Sequence, residues 1–178
     1  TINFKAGVTP LDNLSFDLFG RYVKDSTETD NQPSVAGIIK TVDADKQTDT
    51  IQRSGGLLAR YKLFDGAWEQ ALGAAVHTDR ADSRTNGIET YHADGDKLRF
   101  HYKSNLSFDT PDIANAQHGL TILVEREDET QFTKSNFSTS DRDITNYGYV
   151  GEYRVSLWDR LHLTGGIRYD DNDIFNDK

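Results

Sequence analysis

Along eight stretches of the chain every second residue is apolar, and no stretch of comparable length carries a helical period. The clearest is 97–108. There Leu98, Phe100, Tyr102, Ser104, Leu106 and Phe108 alternate with Lys97, Arg99, His101, Lys103, Asn105 and Ser107. In 147–157, Tyr147, Tyr149, Gly151, Tyr153, Val155 and Leu157 alternate with Gly148, Val150, Glu152, Arg154 and Ser156. In 161–170, Leu161, Leu163, Gly165, Ile167 and Tyr169 oppose His162, Thr164, Gly166, Arg168 and Asp170. Noisier versions fill 2–8, 14–23, 56–64, 68–77 and 120–125. A period of two is the signature of an extended strand with unlike faces, so the chain reads as all-β.

The connections alternate as well. Short ones fall at 9–13, 65–67, 110–118 and 159–160, and long polar ones at 25–50, 78–96 and 128–145. That rhythm predicts an antiparallel up-and-down meander of about eight strands, with tight turns at one end and large loops at the other. Residues 1 and 178 then both fall on the long-loop side. A complete bacterial barrel has its termini at the other end, so the expectation is one partial β-barrel domain over 1–178, a slice of a larger wall.

One face of each strand is apolar and aromatic, and the other carries Lys, Arg, His, Glu and Asp. A soluble barrel would bury the first set, whereas a membrane barrel would turn it outward to lipid. Aromatic placement favours lipid. Phe64, Trp68, Phe108 and Trp158 sit beside short turns, while Tyr22, Tyr102, Tyr147, Tyr149 and Tyr169 gather toward the long loops, as two interfacial girdles would require. Stretches of about ten residues also exceed the usual soluble strand. A soluble or small membrane eight-stranded barrel that binds a ligand stays open as the alternative.

Composition narrows the choice of partner. The net charge is −9, from 20 basic and 29 acidic side chains, which leaves no basic surplus for nucleic-acid phosphates. Cysteine is absent, so disulfides, thiolate metal sites and Cys nucleophiles are excluded. No run of about 18 apolar residues marks a membrane helix.

Candidate chemistry is sparse. His77, His92, His101, His118 and His162 show no paired zinc spacing. His77, His101 and His162 fall on the charged face, while His92 falls in the 78–96 loop, where it could touch a ligand such as haem. Acidic runs occur at 43–45, 141–143 and 170–173. In the last, Asp170, Asp171 and Asp173 form an oxygen set of the kind calcium takes, without EF-hand spacing. No Ser/His/Asp arrangement is recognisable from spacing, so no enzyme is expected, nor any bound cofactor beyond that calcium. On the charged face Arg60, Lys62, Arg99, Lys103, Arg154 and Arg168 oppose Glu69, Glu125, Glu127 and Glu152, which predicts cross-strand ion pairs.

The segment YGYVGEYRVSLWDRLHLTGGIRYDDNDIF at 147–175 resembles a mid-barrel stretch of TonB-dependent outer-membrane receptors. The resemblance rests on Glu152, Tyr153 and Arg154, the turn residues Asp159 and Arg160, and Gly166, Arg168, Tyr169 and Asp170. DGDKLRFHYKSNLSF at 94–108 is similar in style to another strand of that family. The resemblance implies a roughly 22-stranded transmembrane β-barrel in the bacterial outer membrane, enclosing a plug domain and working with TonB. It implies uptake of an iron-siderophore, haem or vitamin B12, with a lean toward the vitamin B12 and catecholate-siderophore receptors.

Overall fold

The computed structural model describes residues 1–31, 34, 35, 38, 39 and 42–173. The acidic run at 43–45 lies partly outside the described side chains, and residues 174–178 lie wholly outside. The strands are β1 (Ile2–Leu11), β2 (Leu14–Asn31), the two-residue β3 (Ser34–Val35) and β4 (Ile38–Ile39), β5 (Val42–Leu63), β6 (Trp68–Thr85), β7 (Ile88–Thr110), β8 (Ala116–Ser135), β9 (Thr139–Leu157) and β10 (Leu161–Asn172). Eight of them form one sheet in the order β1-β2-β5-β6-β7-β8-β9-β10, and β3 pairs with β4 alone. Every neighbouring pair is antiparallel. The up-and-down meander is therefore present as one open sheet, whose edges are β1 and β10.

Among the described residues the long polar stretches are mostly strand, not loop. β2 runs on to Asn31, β5 begins at Val42, and β6 and β7 converge on a two-residue turn. β8 and β9 likewise approach each other at Ser135 and Thr139. Period-two alternation fades where both faces meet water, yet the backbone ladder continues because its hydrogen bonds do not depend on side-chain polarity. Asn86 (φ 51°) and Gly87 (φ 75°) close the β6–β7 hairpin, and Thr85 pairs with Ile88. Two successive left-handed residues make the primed turn whose twist matches a hairpin, and Asn-Gly is the dipeptide that forms it most readily.

Cross-strand register preserves the two faces. Leu18, Leu57, Ala74 and Phe100 form one row of the apolar face, followed by Arg126 and Tyr147. Because the rows pass from apolar residues on β2 to polar ones on β8, the apolar band crosses the sheet obliquely, as tilted strands require. The band covers Trp68 to Val76 on β6 and Leu98 to Phe108 on β7. None of the described residues covers it. Leu72 is 61% exposed and Ile167 76% exposed, and Ala116 is the one buried apolar residue among those described. At the short-turn end Phe64 stacks on Trp68, with ring centroids 6.3 Å apart, and Phe108 stacks on His118 at 4.6 Å. At the other end of the band Tyr149 pairs with Tyr169, their rings 6.2 Å apart.

Candidate functional site: the charged face

The charged face is assembled by strand parity. Residues 99, 125, 148 and 170 come from β7, β8, β9 and β10, and each projects away from the apolar band because it is one residue out of phase with it. Glu125 is the centre of the arrangement. One carboxylate oxygen accepts from Arg99 Nη2 and the other accepts from Arg168 Nη2 at 2.9 Å. Arg168 also donates to Asp170 from Nε at 2.8 Å. Glu125 itself is only 12% exposed, whereas the two arginines are about half exposed.

The pair Glu125–Arg168 spans β9, and it can do so because residue 148 is glycine. A Cβ there would stand 2.8 Å from Glu125 Cγ and 3.2 Å from Arg168 Nη2. A second cluster lies one step further from the short turns. Lys97 Nζ sits 3.2 Å from Glu127 and 2.5 Å from Glu129. Beside the Glu125 cluster is an open cavity of about 480 Å³, lined by Arg99, Glu125, Glu127, Arg168, Asp170 and Asn172 among others. Arg60 pairs with Asp17 on β2, and Arg154 with Glu152 on its own strand. The predicted ladder is thus present for Glu125 and Glu127, while Arg60 takes a partner that the sequence did not single out. Charge-assisted bonds of this kind fix the orientation of the groups more than they add stability when half exposed. The face can therefore present fixed carboxylates and guanidiniums to a polar partner.

His77 and His101 share this face with His162, which bonds Ser156 Oγ at 2.8 Å. His92 does not. It lies within β7, not in a loop, and its parity is that of Leu98, Phe100 and Tyr102, so it stands on the apolar side above the band. Its Nδ1 lies 2.6 Å from Asp82 and its Nε2 2.7 Å from Asp94, so both ring nitrogens are engaged. Asp82 is missed by the sequence reading; the signal that could find it is the Asn86-Gly87 turn, which folds 82 back beside 91–92. The bulge between Ser83 and Arg84 shifts that register by one residue.

The acidic run at 170–173 belongs to β10 through Asn172, not to a loop. Asp170 is drawn onto Arg168, and Asp173 Oδ1 accepts from the amide of Thr145. Among the described residues no group of three or more His, Asp or Glu converges as metal ligands would, Asp170, Asp171 and Asp173 included.

No protein-family model matches the chain. No curated protein matches it in sequence. Among solved structures, the crystal structure of BauA, the ferric preacinetobactin receptor from Acinetobacter baumannii, superposes with a TM-score of 0.67 at 11% identity. The match covers 98% of this chain and 34% of that one, so the chain spans about a third of the receptor's length. At that identity the likeness is one of fold, an antiparallel up-and-down β-sheet of the kind found within that receptor.

Proposed function

We propose that this chain is a wall segment of an outer-membrane, TonB-dependent receptor that takes up an iron-siderophore, haem or vitamin B12. One observation carries the reading: an apolar face, girdled by aromatics at both ends, that none of the described residues covers. On β6 and β7 the band spans the ~9–11 residues that a tilted strand needs to cross hydrocarbon. In water such a face would be a contiguous apolar patch well beyond the few hundred Å² that soluble monomers tolerate. Facing lipid, it needs no protein cover, and the backbone is already satisfied by the ladder.

The two open edges support membership of a wider wall. Unpaired strand edges are not tolerated in hydrocarbon. β1 and β10 stand at opposite ends of the sheet, so a self-contained eight-stranded barrel would have to bring them together. In this reading both join further strands, making part of a barrel of roughly 22. The charged face then lines the interior, where the Glu125 and Lys97 clusters meet the plug domain, and no catalytic step belongs to the segment. The choice of cargo rests on the family resemblance and on the likeness in fold to a ferric preacinetobactin receptor.

The test is growth. Cells with the gene for this protein disrupted should fail on one ferric siderophore, haem or cobalamin supplied as the sole source, and the intact gene should restore them. Undiminished growth on all of these would reject uptake while leaving the membrane-wall reading to be tested separately.

A further inference from the structure

β6 and β7 continue past the aromatic rim as a hairpin flanked by β5 and β8, and its two sides are joined by an unusual group. His92 is 14% exposed, with one carboxylate against each ring nitrogen: Asp82 of β6 on Nδ1 and Asp94 of β7 on Nε2. A carboxylate only accepts. Both nitrogens must therefore donate, and only the imidazolium has two N–H groups. Other charged groups face the cluster: Arg80 of β6 stands 3.1 Å from Asp82 and 3.8 Å from Asp94, Lys134 of β8 is the cross-strand partner of His92, and Asp49 of β5, itself paired with Arg84, is the cross-strand partner of Asp82. The Phe132 ring of β8 lies 6.0 Å from the imidazole, tilted against it.

We propose that this cluster is a proton-dependent clasp, which holds the β6–β7 hairpin shut while His92 is an imidazolium and loosens it when that proton leaves. Loss of the proton turns one of the two bonds into a ring lone pair facing a carboxylate. Asp82 and Asp94 then lose the cation between them, and Arg80 alone remains to bridge the two. The clasp depends on the hairpin's own geometry and holds whatever the apolar band faces.

The hydrogen bonds to Asp82 and then Asp94 raise the His92 pKa above that of an ordinary histidine. A raised folded value means the stabilisation is complete below the ordinary value of about 6.5 and disappears as pH climbs through the folded one. Asp82 is shifted the other way, chiefly by its bond to His92. Its contribution is complete above the ordinary carboxylate value and is lost as pH falls through the depressed one. The clasp is therefore complete between the ordinary carboxylate and histidine values and opens on either side of that plateau.

The test is amide hydrogen exchange on the full chain in lipid nanodiscs, corrected for intrinsic rates, from pH 6 to pH 9. In the wild type, protection at 83–91 should fall by about tenfold as His92 deprotonates, while 98–106 stays constant. His92→Gln should be weakly protected at 83–91 at every pH, with 98–106 unchanged. Asp82→Asn should keep the step but move it to lower pH, and it decides the matter if His92→Gln fails to fold. A wild-type hairpin with no step, or a step that persists at the same pH in His92→Gln or Asp82→Asn, overturns the clasp.

Discussion

Replacing Gly148 by alanine is a demanding test of the charged face, because the structure fixes both the sign and the comparison. The new Cβ would lie 2.8 Å from Glu125 Cγ and 2.9 Å from its Oε1. Glu125 cannot swing freely, since Arg99 holds one oxygen and Arg168 the other. Relief requires giving up one or both pairs, or bending β9. Each pair is half exposed on the arginine side, so each is worth about 0.5–1 kcal/mol after solvent screening. Alanine also regains roughly 0.5–1 kcal/mol of backbone entropy over glycine. A net loss of about 1 kcal/mol is expected once local strain is added. Gly165 is the control: nothing lies within 4 Å of its notional Cβ, so Gly165→Ala should be neutral or stabilising by the entropic amount. The assay is urea unfolding in lipid vesicles, followed by the fluorescence of Trp68 and Trp158. Glu125→Ala should cost stability alone yet remove most of the Gly148→Ala penalty in the double variant, a coupling of about 1 kcal/mol. Equal effects of Gly148→Ala and Gly165→Ala, or strictly additive Gly148 and Glu125 variants, would refute the reasoning.

Other predictions follow from parity and turn geometry. Leu72→Arg places a cation inside the apolar band and should cost about 2–4 kcal/mol in bilayers, whereas Ala71→Arg, one residue away on the charged face, should cost far less; both are read by the same unfolding assay. Gly87→Ala forces a side chain into a left-handed φ of 75° and should destabilise the β6–β7 hairpin by about 1–2 kcal/mol, seen as faster amide exchange near its tip with β9 and β10 unaffected. In the same hairpin, shifting the buffer from pH 6 to pH 9 should release protection at 83–91 in the wild type but not in His92→Gln, because His92 is held protonated by Asp82 and Asp94.

The strands were legible where the two faces have unlike surroundings. Leu98, Phe100 and Tyr102 against Arg99, His101 and Lys103 gave strand, register and face at once, and the structure keeps that parity. Legibility ended where both faces are polar. Around Asp79, Asp82 and Asp94 no alternation survives, so a continuous ladder read as loop. A local signal was still available there: Asn86-Gly87 marks a primed hairpin turn and implies long flanking strands. The candidate site shows the same division. Arg99, Glu125 and Arg168 were readable as opposed charges on one face. Their convergence on a single carboxylate across β9 depends on a missing side chain at Gly148, which only register reveals. The carboxylates at 170–173 looked like a ligand set because sequence shows proximity along the chain, whereas Arg168 claims Asp170 and the Thr145 amide claims Asp173.

The central claim, that the apolar face meets hydrocarbon, is most directly tested by depth quenching along β7. The chain has no cysteine, so single cysteines at 98 through 103 can each carry a fluorophore in the full protein. In bilayers with brominated acyl chains, labels at 98, 100 and 102 should be strongly quenched and those at 99, 101 and 103 spared. Uniform quenching, uniform protection or the opposite alternation would contradict the account.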